Sequence, residues 1–290
     1  MTWNNNILIT GANGQLGRSL QKIQPRYHDW RFYMTDIDTL DICDKRQLAD
    51  FIHANRIETI LNCAAYTAVD KAEDDRDTCM RINRDAIMYI GEIAATAGIN
   101  VIHVSTDYVF DGAASHPYRE DDPTNPQSFY GQSKLEGEMA LQQVCPDAVI
   151  IRTAWLYSEF GTNFVKTMLR LGKERKELKV VSDQVGSPTY AGDLAVAMMT
   201  MVEYRPFIRG IYHFTNEGVC SWYDFTVRIM ELAGLNCRVY PITTAEYPTR
   251  AVRPAYSVLD KEKIKTTYHL SIPSWEESLG ICLQNNDIIY

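Results

Sequence analysis

The sequence predicts an α/β protein built on a doubly wound parallel sheet, followed by a smaller C-terminal α/β domain. Short apolar runs alternate with amphipathic segments as far as about residue 152, the pattern of repeated βαβ units. The first run ends in a glycine-rich turn, and beyond Thr153 shorter elements are separated by aromatic residues and prolines. We therefore expect one domain over residues 1–152 and a second mainly over residues 153–290, with some later segments packing back onto the first.

Composition and charge exclude several classes of function. The 290 residues carry a formal net charge of −8, which argues against non-specific nucleic-acid binding because that needs a basic face. No basic segment leads into a long apolar core, and no apolar run approaches the roughly 18 to 20 residues that span a bilayer. The seven cysteines are scattered and include no CxxC pair, which is typical of reduced thiols. We expect a cytoplasmic protein without membrane or nucleic-acid partners.

The glycine-rich turn has the context of a dinucleotide site. An apolar run at residues 7–9 leads into Gly11-Ala-Asn-Gly14-Gln-Leu-Gly17, and helix-forming residues follow. Glycines at such a turn let the backbone approach a pyrophosphate, whose charge lies at the helix N-terminus. The spacing is GxxGxxG and not GxGxxG. It predicts a Rossmann-like NAD(P)-binding domain.

Acidic residues after the second strand bear on the choice of cofactor. Asp36 follows the last glycine by about the 20 positions at which a carboxylate usually accepts hydrogen bonds from the adenosine ribose, which favours NADH. This preference is mild, because Arg18 lies close enough in sequence to the turn to meet the 2′-phosphate of NADPH. Asp41 either contacts the adenine or caps the helix that begins near Asp44.

Two further strands end in residues suited to a ligand site. The strand at residues 59–63 is followed by Ala64 and Ala65, small residues that leave space for the nicotinamide ribose at the carboxyl end of the sheet. The strand at residues 101–104 leads to Thr106. His103 lies inside this apolar run, and we predict a packed core histidine there.

Tyr130 and Lys134 are a candidate catalytic pair. Residues four apart lie on one face of a helix, so the lysine cation is expected to lower the pKa of the phenol from about 10 toward working pH. The hydroxyl of Thr106 could hold a carbonyl against that phenol, and the three groups together predict a carbonyl reductase. With 17 tyrosines in the chain, a YxxxK pair also arises by chance.

Two arginines stand beside prolines near the C-terminus. Arg250 and Arg253 suit a grip on a phosphate or a base from a rigid backbone, and ordinary surface charge explains them equally well.

Together these motifs resemble the extended short-chain dehydrogenase/reductases, most closely the dTDP-4-dehydrorhamnose reductase branch. The segments that carry the resemblance are GANGQLG from Gly11, NCAAYTAVDKAE from Asn62, STDYVF from Ser105, YGQSK from Tyr130, RTAWLY from Arg152, NFVKTML from Asn163, DQVGSPT from Asp183 and RPAYSVL from Arg253. They span nearly the whole chain. The resemblance implies that the chain reduces the C4 ketone of dTDP-6-deoxy-L-lyxo-4-hexulose with NADPH or NADH, and that residues 153–290 mainly hold the sugar nucleotide.

The resemblance also implies roles for individual residues. The catalytic set would be Thr106, Tyr130 and Lys134. The cofactor would be held by Gly11, Gly14, Gln15, Leu16, Gly17, Asp36, Asp41, Ile42, Ala64, Ala65, Tyr66 and Val104, together with Tyr130 and Lys134. The substrate would be held by Thr106, Asp107, Tyr130, Trp155, Arg253 and Ser257.

One position separates the related activities. Sugar-nucleotide 4,6-dehydratases of this superfamily carry an Asp-Glu pair after the threonine, whereas here Asp107 is followed by Tyr108, which cannot serve as the second carboxylate. This favours simple reduction over elimination of water.

The alternatives are another sugar-nucleotide reductase or epimerase, and a non-catalytic subunit like the regulatory subunit of methionine adenosyltransferase. Some members of the family are described as metal-linked dimers. No acidic cluster maps to such a site, so no metal ligand is predicted and a homodimer is left open.

Overall fold

A six-stranded, fully parallel sheet forms the centre of the structure, a computed structural model that describes residues 5–285. The outermost residues of the two predicted domains, 1–4 and 286–290, lie outside the described residues. The strand order is β10-β5-β4-β3-β1-β2. These strands are β1 (Asn6–Thr10), β2 (Arg31–Met34), β3 (Thr59–Asn62), β4 (Asn100–Thr106), β5 (Val149–Thr153) and β10 (Gly210–His213). The predicted doubly wound α/β fold is confirmed.

Helices cover both faces of this sheet because its strands are apolar on both sides. On β1, Ile7 and Ile9 point into one layer and Leu8 points into the other. The helices are α1 (Gln15–Ile23), α2 (Lys45–Ala54), α3 (Val69–Ala72), α4 (Arg76–Met80), α5 (Ala86–Ala97), α6 (Phe129–Val144), α7 (Phe164–Glu174), α8 (Ala191–Glu203), α9 (Trp222–Leu232), α10 (Glu262–Tyr268) and α11 (Trp275–Asn285). Helices α1 and α8 pack on the first face, and α2, α5 and α6 pack on the second.

The sequence signals for helix ends agree with the structure. Gly98 adopts the left-handed conformation, with φ 66°, at the end of α5. Ser221 and Asp224 form a capping box at the start of α9, and Ser274 with Glu277 forms the same reciprocal pair at the start of α11. Asp44 caps α2 by accepting a hydrogen bond from the Gln47 amide.

A second apolar core lies beside the large sheet. Helices α7, α9 and α11 pack around it with Tyr157, Phe225 and Trp275. Its strands form two-residue or longer pairs, of which β7 with β12 and β6 with β9 are parallel and β8 with β11 is antiparallel. These strands are β6 (Leu156–Tyr157), β7 (Glu177–Val181), β8 (Val185–Gly186), β9 (Thr189–Tyr190), β11 (Cys220–Ser221) and β12 (Arg238–Ile242).

The chain returns to the large sheet after residue 153. Helix α8 packs against α1, and β10 pairs in parallel with β5 at the sheet edge. Consequently the first apolar layer includes side chains from both predicted domains. The division at residue 152 stays a prediction about which residues bind the cofactor and which bind the sugar nucleotide.

The fold sets the place of a ligand site. Strand β1 has β2 on one side and β3 on the other, so the sheet order reverses at β1. Open α/β sheets bind ligands at the carboxyl ends of the strands beside such a reversal. Among the described residues, no helix combines the length and the apolar character needed to cross a membrane.

Candidate active site

The glycine turn follows β1 at this reversal and leads directly into α1. Gly11 has φ 65°, and a Cβ there would lie 2.7 Å from the Ala64 backbone. A Cβ on Gly17 would lie 2.4 Å from the Gly11 carbonyl oxygen, so the third glycine permits the close contact of helix and turn. Gly14 is the N-cap of α1 and supplies no side-chain cap. The free amides at this helix end suit the pyrophosphate of a dinucleotide.

A cavity of about 950 Å³ opens beside this turn along the carboxyl ends of the strands. It is lined by residues from the turn, from the ends of β2, β3, β4 and β5, and from α6. The predicted site residues in its lining are Gly11, Gly14, Gln15, Leu16, Asp36, Asp41, Ile42, Ala64, Ala65, Val104, Thr106, Asp107, Tyr130, Lys134, Trp155 and Arg253. The structure therefore brings most of the predicted residues together around one space large enough for a dinucleotide.

Three predicted residues are not among the described residues that line the cavity. Gly17 lies behind the turn. Tyr66 turns away, with its amide donating to the Asn83 Oδ1 and its hydroxyl 3.1 Å from an Asp75 oxygen. Ser257 is buried, and its Oγ lies behind the cavity wall where a Cβ on Gly186 would meet it at 2.7 Å.

The acidic residues after β2 accept hydrogen bonds from nearby backbone amides. Asp36 accepts hydrogen bonds from the backbone amides of Asn13 and Ile37, both at 2.8 Å, so its carboxylate ties β2 to the glycine turn. Asp41 accepts from the Cys43 amide at 2.9 Å. Because Asp44 is the cap of α2, the alternative that Asp41 caps this helix is wrong.

Arg18 points away from the cavity. Its guanidinium lies 4.6 Å from the centre of the Phe160 ring, in the segment that follows β6. The same segment is bound to Gln15, whose Oε1 accepts from Ser158 and Asn163 at 3.1 and 2.9 Å. Gln15 and Arg18 thus join α1 to the segment that follows β6. The suggestion that Arg18 meets a 2′-phosphate has no support in this geometry.

Tyr130 lies in the first turn of α6 with its ring enclosed. Burial raises the pKa of its phenol, and the Thr106 hydroxyl opposes that effect. The predicted lowering of this pKa by Lys134 is wrong, because the burial of the phenol dominates. The phenol therefore keeps its proton at neutral pH, as a proton donor must.

Lys134 is fully buried one turn further along α6. Its Nζ donates to the Val104 carbonyl oxygen at 2.8 Å and lies 3.4 Å from the His103 Nε2. Burial lowers the pKa of Lys134 to about 8, although Glu138 raises it. The amine thus stands between the end of β4 and the cavity, where it can reach a bound ribose.

Asp107 is a buried carboxyl directly after Thr106. Its Oδ1 accepts a hydrogen bond from the Thr106 hydroxyl at 3.0 Å, whereas its enclosed Oδ2 has no protein partner of normal geometry. Burial raises the pKa of Asp107 to about 7, against hydrogen bonds from Thr106 and from the neighbouring Ser257. The carboxyl thus carries an unsatisfied oxygen beside the cavity, whose lining includes Asp107.

Tyr108 occupies the position of the dehydratase glutamate. Its ring packs edge-on against Tyr130, with ring centres 5.5 Å apart, and its hydroxyl accepts from Arg253 at 3.2 Å. Burial raises the pKa of Tyr108 to about 12, so it is no base at neutral pH. Arg253 also pairs with Asp70 at 2.8 Å. This arginine is fixed at the cavity, and it is not an isolated surface charge.

Trp155 forms the aromatic wall of the cavity. Its backbone adopts φ 50°, and its ring stacks on Trp222 with ring centres 3.5 Å apart and an angle of 11° between the planes. The opposite edge lies against Gly186, where any side chain would collide with the indole. Trp222 therefore covers one face of the Trp155 ring, and the rest of the indole lines the cavity.

Several residues of the site were missed by the sequence analysis. Trp222, Asp70 and Asn62 gain their roles from partners distant in the sequence, such as Arg253, which lies 183 positions from Asp70. Only the NCAAYTAVDKAE segment hinted at Asn62 and Asp70. Among residues 5–285, no group of three or more His, Cys, Asp or Glu side chains is arranged to hold a metal ion.

Comparison with known proteins identifies relatives over nearly the full length. Residues 5–288 match the family described as RmlD substrate binding domain. A dTDP-4-dehydrorhamnose reductase of Aggregatibacter actinomycetemcomitans is 42% identical over 283 residues, which cover 94% of this chain and 96% of that protein.

Two crystal structures agree with that relationship. A dTDP-4-dehydrorhamnose reductase of Clostridium acetobutylicum is 44% identical with a TM-score of 0.93, and the match covers 97% of this chain and 99% of that chain. The reductase of Bacillus anthracis in complex with NADP is 38% identical with a TM-score of 0.93, covering 98% of this chain and all (100%) of that chain. The chain belongs to the dTDP-4-dehydrorhamnose reductase family.

Proposed function

We propose that the chain is an NAD(P)H-dependent oxidoreductase that reduces the C4 ketone of dTDP-6-deoxy-L-lyxo-4-hexulose and yields dTDP-L-rhamnose. The observation that carries this proposal is the meeting of Thr106, Tyr130 and Lys134 in the same cavity as the glycine turn of α1. Ketone reduction needs a proton donor close to a bound dinucleotide, and this cavity contains both a phenol and a dinucleotide-binding turn.

Each residue of the site has a separate role in the proposed reaction. NADPH or NADH, bound at the glycine turn, supplies the hydride. Thr106 and Tyr130 face the carbonyl oxygen, and the protonated phenol donates its proton there as negative charge develops. Lys134 holds the ribose and exchanges its proton near neutral pH. Asp107 and Trp155 bind the sugar, and Arg253 binds the dTDP portion.

The position of Tyr108 supports reduction over dehydration. A dehydratase needs both an acid and a base for the hexose, and the Tyr108 hydroxyl is engaged by Arg253 and keeps its proton. The single proton donor that remains is sufficient for reduction.

The test is oxidation of NADPH and of NADH, followed at 340 nm. The 4-keto sugar nucleotide is supplied by the preceding dehydratase and epimerase, and we expect rapid consumption that depends on all three proteins. No consumption with either cofactor would reject the proposal. Purified protein that retains a full complement of NAD would instead favour an epimerase, and copurification with a synthetase would favour a regulatory subunit.

We further propose that the enzyme acts on this small nucleotide sugar in the cytoplasm, without a nucleic-acid partner. The acidic net charge of −8 supports the last point. Whether two copies associate as a homodimer is answered by sedimentation of the purified protein.

A further inference from the structure

A chain of buried polar groups runs across three central strands to the catalytic lysine. Thr10, Asn62 and His103 are neighbours in register on β1, β3 and β4. None of them is more than 1% exposed, although each carries a polar side chain in an apolar sheet. The chain ends at Lys134, which the described contacts place 3.4 Å from His103. Polar groups buried so deeply need a defined set of partners.

The distances fix which way the Asn62 amide points. Its Oδ1 lies 2.6 Å from the Thr10 hydroxyl, a normal distance for O–H···O and shorter than an N–H···O bond. Its Nδ2 also faces the Ala64 carbonyl oxygen at 3.5 Å. With the amide reversed, two oxygens would face each other at Ala64. Thr10 therefore donates to the Asn62 Oδ1. The Asn62 Nδ2 is the donor toward the Ala64 carbonyl oxygen and toward His103.

This orientation fixes the tautomer of the imidazole. The Asn62 Nδ2 lies 2.8 Å from the His103 Nδ1, so Nδ1 accepts a hydrogen bond. Burial and the Lys134 charge lower the pKa of His103 well below its usual value, so the ring is neutral. A neutral ring that accepts at Nδ1 carries its proton at Nε2, and Nε2 faces the Lys134 amine.

We propose that His103 is a positioning residue for Lys134, with Thr10 and Asn62 holding its N–H against the lysine amine. An N–H directed at Nζ favours the neutral amine, which can accept, over the ammonium, which cannot. The other titratable groups whose charge acts on Lys134 are Glu138 on α6, which is itself paired with Arg152, and Cys79 on α4. The hydrogen-bonded row of Thr10, Asn62 and His103, called the relay below, thereby makes it easier for Lys134 to lose its proton. This inference rests on the proposed function only for the importance of Lys134.

The tautomer is tested directly by nitrogen NMR of the protein without cofactor. The protein is labelled with ¹⁵N-histidine, and the His103 signals are assigned by their absence in His103→Gln. The protonated and unprotonated nitrogens of a neutral ring have well separated shifts. We expect the proton on Nε2, and a proton on Nδ1 would overturn the proposal.

The effect on the lysine is tested by titrating the ¹⁵N signal of Lys134 Nζ, assigned by its absence in Lys134→Met. In His103→Leu, which lacks the N–H, we expect the midpoint to rise by about one pH unit. In His103→Gln, whose amide can accept from Asn62 and donate to the lysine, the midpoint should stay near that of the parent. The kcat/KM of His103→Leu should shift its pH profile in the same direction.

The control is Ile102→Val, on the same strand with its side chain in the core and away from the relay. We expect this variant to lose stability and to keep the Lys134 titration of the parent. A His103→Leu midpoint that equals the parent or falls below it would overturn the proposal, because His103 would then have a structural role only. The two NMR measurements need no turnover, so they fail or succeed separately from the proposed function.

Discussion

Tyr130 and Lys134 share one face of α6, but their surroundings differ in a way that local sequence does not reveal. The four-residue spacing predicted the face correctly. It did not reveal that desolvation would raise the pKa of the phenol, because burial depends on strands and loops that meet only in the folded chain. Nor could it place His103 against Lys134, since that contact follows from strand register. Patterns within one helix predict which residues can pair, and packing decides their protonation.

Asp107 gives a pH-dependent prediction at the residue scale. Its pKa of about 7 in the folded protein lies above the value of about 4 in an unfolded chain, so the native state binds the extra proton between these values. The contribution to stability is therefore complete below pH 4 and is lost as the pH rises to about 7. In Asp107→Asn we expect this loss to disappear, an effect of at most about 4 kcal/mol.

The measurement is the free energy of unfolding in urea at pH 4 and pH 8. The difference between the two pH values should be smaller in Asp107→Asn than in the parent. Asp121→Asn, at an exposed position, is the control and should behave as the parent. An equal pH dependence in parent and Asp107→Asn would contradict the assignment of a buried carboxyl with a raised pKa.

At the scale of elements, close backbone contacts bring the proposed catalytic groups together. The first turn of α6 lies against the short turn that follows β4, and a Cβ on Gly131 would lie 2.3 Å from the Tyr108 carbonyl oxygen. The glycine turn of α1 shows the same principle at Gly17. The sequence predicted the strands that lead into both turns and the helices that carry the glycine turn and Tyr130. It did not predict why Gly131 must be glycine, because its neighbour Tyr108 lies in another element.

Gly131→Ala should therefore destabilise the protein, whereas Gly280→Ala should stabilise it. The added methyl group at residue 131 collides with backbone, which costs about 1 to 3 kcal/mol. Gly280 lies in α11 with no atom within 4 Å of the corresponding position, so alanine should add up to about 1 kcal/mol through its helix propensity. Urea unfolding checks both. A stabilised Gly131→Ala variant would show that α6 and the turn lie further apart than described.

For the whole molecule, the large sheet depends on segments from both halves of the chain. Side chains of α8 fill the layer that α1 also covers, and β10 completes the edge beside β5. The change in sequence character at residue 153 predicted a second, mainly substrate-binding domain, and that division stays a prediction. Composition could not show which later elements rejoin the sheet, because pairing with β5 is decided by tertiary contacts.

A fragment of residues 1–152 should consequently fail to fold cooperatively. It would expose the apolar surface of α1 that α8 covers and the unpaired edge of β5. We expect no sigmoidal unfolding transition in urea and no measurable NADPH binding by the fragment, while the full chain shows both. A cooperative fragment that binds NADPH within a few-fold of the full chain would contradict this view.

The most direct test of the central claim is the comparison of Tyr130→Phe with the parent. The variant removes one hydroxyl group that lies in the cavity, and Tyr89→Phe, on α5 outside the cavity lining, is the control. If Tyr130 donates the proton, kcat for reduction of the 4-keto sugar nucleotide should fall by about 10² to 10⁴-fold. The NADPH dissociation constant should stay within a few-fold of that of the parent. Turnover by Tyr130→Phe within a few-fold of the parent would contradict the account.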